Sequence, residues 1–301
     1  GIDATLRAER PTVLLGFRPD DLAMELIFEL ADEWGWVLIS LEQLDGQIPD
    51  DLTLGGALIT DLPDGALAQE LRERGCPAVR LGRLPHPGDD QLPVVLPDQA
   101  AAGRLAVDHL VERRFKDLAI VSYHASRFGM DHHDLWNAFC ERADERGVHC
   151  HSHDQIHPDD KRRLSREDRF AVRAKRLAAW LAAIPKPVGV LTIGDDMADA
   201  LCRMCMRESI RVPEEVAILG RGNQRECRLS RVQLSSIDMA DLERTRKAMQ
   251  LLKRLMAGEP APTSPIMVPP SRIVERHSTD VLAVSDPMVA QALRFIWEHI
   301  E

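Results

Sequence analysis

The stretch GVLTIGDDMADALCRMCMRESIRVPEEVAILG, residues 189–220, decides how the rest of the chain is read. Its first part, GVLTIG (189–194), is apolar or small throughout, as a strand covered on both faces must be, and VAILG (216–220) repeats that composition. Between them, residues 196–208 place apolar side chains at helical spacing. Buried strand, amphipathic helix and buried strand together imply parallel strands with a helix packed against them.

The same alternation extends in both directions. Strand-like runs fall at TVLLGF (12–17), WVLIS (36–40), GALIT (56–60), AVRLG (78–82) and DLAIVS (117–122), with helical patterns near 21–34, 64–74, 98–114, 131–146, 168–183 and 239–257. The fold class is therefore α/β. Two such series follow one another, divided near ERRFKD (112–117), so two doubly wound parallel-sheet subdomains are expected. Open parallel sheets hold ligands beyond the carboxyl ends of their strands, and two facing sheets make a cleft there. The loops to search are RPDD (18–21), YHASRFGMDHH (123–133), DDM (195–197) and RGNQ (221–224).

Composition excludes several functions. The chain has 301 residues, 45% hydrophobic and 29% charged, enough for two cores. A net charge of −10 supplies no positive field for nucleic acid or an anionic membrane, so the chain is not expected to bind DNA by itself. No run approaches the roughly 20 apolar residues of a membrane span, and no signal peptide is evident, which points to the cytoplasm. Six cysteines without a framework spacing suit reduced thiols.

Motifs for chemistry are weak. CRMC (202–205) lies inside a helical pattern, where small buried side chains are the better reading than a thiolate site. HCHSHDQIH (149–157) is dense in ligating side chains but lacks the paired halves of a structural zinc site, and reads as a surface loop. GRGN (220–223) lacks the third glycine of a dinucleotide loop. No nucleophile elbow, metalloprotease helix or phosphate-loop lysine is present, so no catalytic residue, metal or cofactor is expected.

SIRVPEEVAILG (209–220), LPDQAAAGRLAVDHLVERRFKDLAIVS (96–122) and LTIGDDMADAL (191–201) together resemble the effector-binding domain of the lactose-repressor family, over about residues 11–275. LSRVQLSSID (229–238), VPPSRIVERHSTD (268–280) and DPMVAQALRFI (286–296) are similar to the xylose-operon regulator group, in which such a domain precedes an AraC-type helix-turn-helix domain. The resemblance implies a periplasmic-binding-protein-like fold with three crossovers. After a short extension at 1–10, residues 11–115 with 238–262 would form one subdomain and 116–237 with 263–280 the other. It also implies a homodimer, a sugar-class effector whose binding shifts lobe closure, and operator DNA bound only through a C-terminal domain. A free-standing solute-binding protein of the same fold is the alternative. SDPMVAQALRFIWEHIE (285–301) then reads as linker and first helix of that further domain, capped by Ser285 and Asp286 with Pro287 in its first turn.

By the same resemblance the effector contacts are sought at Arg18, Asp20, Tyr123, Arg127, Asp195, Arg221 and Asn223. Each has a structural reading beside it, as a loop cap or a packing residue. Two familiar sugar contacts are replaced. Gly222 stands where the family commonly has aspartate, and Leu135 where many relatives carry arginine. Arg221 and Arg127 add positive charge that a neutral sugar does not need, so the expected effector ranges from a pentose to a sugar acid or sugar phosphate.

Overall fold

The computed structural model describes residues 10–17, 20–60, 65–82, 92–122, 131–154, 166–281, 283, 288, 289, 292 and 295. The chain opens with β1 (Thr12–Leu15), α1 (Asp21–Trp34), β2 (Val37–Ser40), β3 (Gly56–Ile59), α2 (Ala66–Glu73), β4 (Ala78–Leu81) and β5 (Val94–Pro97). It then runs through α3 (Gln99–Glu112), β6 (Asp117–Ser122), α4 (Asp131–Glu145), β7 (His149–Asp154), α5 (Arg166–Ala183), β8 (Val188–Thr192), α6 (Asp195–Arg207), β9 (Val216–Arg221) and β10 (Ser235–Asp238). The last elements are α7 (Asp241–Met256), β11 (Ile266–Val268) and β12 (Arg272–Val274).

These elements form two sheets, ordered β11-β5-β4-β3-β1-β2 and β12-β10-β9-β8-β6-β7. Every pairing is parallel except β10 with β12, which is antiparallel. The expected α/β class with doubly wound parallel sheets is what the chain adopts. It divides into Gly1–Asp98 with Ala240–Val268, and Gln99–Met239 with Pro269–Glu301, so the backbone passes between the units three times.

The boundaries differ from those expected. The first passage falls after Asp98 rather than near 115, so α3 belongs with the second unit. Its packing explains this. A Cβ on Gly103 of α3 would stand 2.5 Å from the Leu135 carbonyl oxygen of α4, so the missing side chain lets the two helices approach closely. Ala102, Ala106, Val107 and Leu110 of α3 enter the same core as β6, β8 and β9. Likewise β11 pairs with β5 of the first unit, which moves residues 263–268 out of the second.

In the first unit, Val13, Ile27, Leu58, Val79 and Leu252 form one core layer, and Leu14, Ala57, Ile59 and Leu71 the other. The N-terminus of α1 is capped by Asp20, whose Oδ1 accepts from the Ala23 amide at 2.8 Å. In the second unit the whole of VAIL in β9 and LAIV in β6 is buried, which accounts for their unbroken apolar character.

HCHSHD (149–154) is not a loop. It is β7, at the end of the second sheet, pairing with all six residues of β6. His151 reaches back to Asp117 at 2.9 Å, and among the described residues no group of three His, Cys, Asp or Glu side chains could hold a metal. Of the expected helix at 285–301, residues 288, 289, 292 and 295 are helical and exposed; Ile296 and Ile300 lie outside the described residues.

Candidate functional site

The carboxyl ends of β8 and β9 bring three of the sought residues together. Asp195 opens α6 directly after β8, and Arg221 and Asn223 leave β9. Thr192, at the end of β8, ties the strands together by donating its hydroxyl to Gly194 O at 2.9 Å and to Leu219 O at 3.3 Å.

Asp195 is 2% exposed. Its Oδ1 accepts from the Ser236 hydroxyl at 2.6 Å and its Oδ2 from the Gln224 amide at 2.9 Å. The carboxylate thus fastens the loop after β9, and β10 behind it, to the start of α6. Gly220 permits this, because a Cβ there would overlap Asp195 Oδ1 outright. The Cys227 thiol is pushed up to about 12 by burial and by the neighbouring Asp195 carboxylate.

Asn223 sits in the left-handed region at φ 53°. Its amide donates to Ser236 Oγ at 2.9 Å, its Nδ2 to Asp238 Oδ2 at 3.3 Å, and its Oδ1 accepts from Arg276 at 2.8 Å. Arg221 donates to the Ile193 carbonyl at 3.2 Å, bridging the ends of β8 and β9. Gly222 between them has φ +123°, and a Cβ there would lie 3.2 Å from Asp195 Oδ2. Glycine is therefore the residue this backbone requires, and an aspartate would face a second carboxylate.

Behind these loops runs a polar seam to which RHSTD (276–280) contributes the half-buried Arg276 and the buried Ser278 and Thr279. Arg276 donates to Leu234 O at 2.6 Å, while its backbone exchanges hydrogen bonds with Ser235 Oγ at 2.8 and 2.9 Å. Ser278 accepts from Ser235 N at 2.8 Å and donates to Ile218 O at 2.6 Å. Thr279 donates to Ser235 Oγ at 2.7 Å and meets His109 Nε2 at 3.1 Å. Arg113 lies 3.0 Å from His109 Nδ1, and a guanidinium can only donate, so Nδ1 accepts and Nε2 carries the proton. Burial, reinforced by the Arg113 charge, holds His109 down to about 3 and keeps it neutral. Ser235, Ser236, Ser278 and Thr279 have no exposure at all, yet each is hydrogen bonded.

Residues 107–279 match the family described as the periplasmic binding protein-like domain. The chain belongs to this family. Among curated relatives of this periplasmic-binding-protein-like chain are the xylose operon regulatory proteins of Escherichia coli K12, 29% identical over 252 residues, and of Haemophilus influenzae, 26% identical over 257 residues. In both cases the match takes in 82% of this chain and 62% of the relative, so the chain spans under two thirds of their length. A solved xylose-binding transcription activator XylR aligns over 98% of this chain and 76% of its own, at TM-score 0.76 and 25% identity. A CelR–cellobiose complex, at TM-score 0.68 and 19% identity, aligns over 89% of this chain and 85% of its own and shares the fold.

The other sought residues of this periplasmic-binding-protein-like chain are placed differently. Asp20 is the cap of α1 in the first unit, while Arg18, Tyr123 and Arg127 lie outside the described residues. Leu135, set against a relatives' arginine by the resemblance, is fully buried in the core of the second unit and is not open to a ligand. The CRMC cysteines are likewise buried on α6, with both thiols pushed up to about 12, chiefly by burial. A groove of about 770 Å³, lined among others by Arg203, Met206 and Leu229, is built from α6 and the turn beyond Arg228, not from the strand-end loops.

Proposed function

We propose that the chain is the effector-binding part of a transcription regulator of carbohydrate use. Its effector is a pentose or a derivative such as a sugar acid or sugar phosphate. The observation that carries this reading is the convergence of Asp195, Arg221 and Asn223 at the carboxyl ends of β8 and β9. Parallel α/β sheets hold ligands in that place. Relatives named as xylose operon regulatory proteins supply the ligand class.

Within the site, Asp195 acts as a brace. Arg221 and Asn223 are donor-bearing side chains of the kind that hydroxyl or anionic groups of an effector take. Arg18, Asp20, Tyr123 and Arg127 are proposed as the remaining contacts. The chain acts by binding rather than turnover, pairs as a homodimer in the cytoplasm, and leaves operator DNA to a C-terminal domain, consistent with its net charge of −10. The regulator names of the relatives favour this over a free-standing solute-binding protein.

A thermal-shift screen of pentoses, hexoses, sugar acids and sugar phosphates tests the proposal. A ligand at 100 times its dissociation constant adds about 2.7 kcal/mol of stability. A dose-dependent rise with one sugar class supports it. No shift with any member up to millimolar concentration refutes it.

A further inference from the structure

Cys140 on α4 and Cys150 on β7 stand with their sulfurs 3.3 Å apart, the Cys150 thiol donating to Cys140. We propose that this pair is a reversible dithiol site, closed to a disulfide by oxidised small thiols of the glutathione type and reopened by their reduced form.

The two cysteines differ from the rest of the chain's thiols. Cys76, Cys202, Cys205 and Cys227 are buried, whereas Cys140 and Cys150 are each partly exposed. A disulfide needs sulfurs about 2.05 Å apart, so the pair must close by only about 1.3 Å. β7 can supply that movement because it ends the second sheet and pairs only with β6 among the described strands.

The chemistry is ordered by the same hydrogen bond. Donation from Cys150 holds the Cys140 thiol below its ordinary value and raises Cys150, so the thiolate of the pair resides on Cys140. By contrast, burial pushes the Cys76 thiol up to about 11 and those of Cys202, Cys205 and Cys227 to about 12, where little thiolate forms at neutral pH. Attack by Cys140 Sγ on glutathione disulfide forms a mixed disulfide and releases one glutathione thiolate. Cys150, giving its proton to solvent, then attacks Cys140 Sγ and releases the second glutathione. Two protein thiols are oxidised and one disulfide is reduced. The new bond would staple α4 to the edge strand.

The test needs no effector, so it stands apart from the regulator reading. The purified, reduced chain is incubated with glutathione disulfide, blocked with a maleimide in denaturant, and examined by thiol counting and peptide mass mapping. The six free thiols should fall to four, with a single 140–150 linkage that dithiothreitol reverses. A Cys140→Ser, Cys150→Ser double variant should keep all its remaining thiols under the same treatment. Six thiols persisting in the parent chain, a stable glutathione adduct without the internal bond, or a linkage between other cysteines would each overturn the proposal.

Discussion

Replacing Asp195 with alanine should destabilise the second unit by about 3–5 kcal/mol, because the carboxylate is a brace before it is a ligand contact. It is 2% exposed and takes two donors, the Ser236 hydroxyl at 2.6 Å and the Gln224 amide at 2.9 Å. Hydrogen bonds to charged groups contribute about 1.5–3 kcal/mol each, and donors left behind in the interior retain their desolvation cost. The top of that sum, near 6 kcal/mol, is not expected, because the Gln224 amide is only part-buried and can recover a water. At 2–4 °C per kcal/mol for a unit of this size, the midpoint should fall by roughly 6–20 °C. Asp195→Asn should lie between, since it keeps one acceptor for Ser236 but turns an N–H toward the Gln224 amide. Urea unfolding followed by fluorescence of Trp136 and Trp180, both packed against the second core, reads the loss as a lower midpoint with unchanged slope. An alanine variant within about 0.5 kcal/mol of the parent would refute the bracing role and return Asp195 to the list of free effector contacts.

Gly222→Asp, which installs the aspartate that the resemblance led one to expect there, should destabilise by about 1–3 kcal/mol and fail to improve sugar affinity, because φ is +123° and Asp195 Oδ2 stands beside the new Cβ; a calorimetric gain in affinity would contradict this. Ser278→Ala should lose about 1–3 kcal/mol by leaving Ser235 N and Ile218 O unpaired, measured by urea midpoint. His109 supplies a pH test. Its folded value is depressed to about 3 against an ordinary 6.5, so below pH 6.5 the unfolded chain binds a proton that the folded chain refuses. The stability present above pH 6.5 is therefore lost as pH falls toward 3, by at most about 1.4 kcal/mol per pH unit. His109→Gln should flatten the change in urea midpoint between pH 7 and pH 5, and an unaltered slope would show that another group carries it.

Periodicity exposed most of the scaffold. Strands such as VAILG and LAIV are buried on both faces, and such uniform runs alternating with amphipathic helices point to a parallel sheet. One missed strand, β5, is as apolar and buried as those that were read; the others that escaped have physical reasons. β10, SSID, is buried yet carries two serines, because their hydroxyls are used by Asp195, Asn223 and Arg276. β7 is rich in histidine because it ends its sheet, and such strands tolerate polar side chains. β11 and β12 have three residues each, too few for a two-residue period to register.

The candidate site was legible as loops. The strand-end rule pointed to 195–197 and 221–224, and the resemblance to Asp195, Arg221 and Asn223 within them, but residue type could not separate a carboxylate that braces a loop from one that waits for a sugar. That distinction depends on Ser236 and Gln224, which lie 41 and 29 residues away. The polar seam of Arg276, Ser278, Thr279 and His109 escaped for the same reason, its partners being separated by up to 170 residues. Its signal was present in the row of small hydroxyl residues at 235–236 and 278–279, flanked by core strands.

Effector binding itself is tested most directly by isothermal titration calorimetry of the chain with a pentose, its aldonic acid and its phosphate ester, repeated with Asn223→Ala. Saturable binding of one molecule per chain to at least one of the three, weakened at least tenfold in the variant, is the expected result. Heats of dilution alone across all three, or a binding isotherm untouched by loss of Asn223, would contradict an effector site at the ends of β8 and β9.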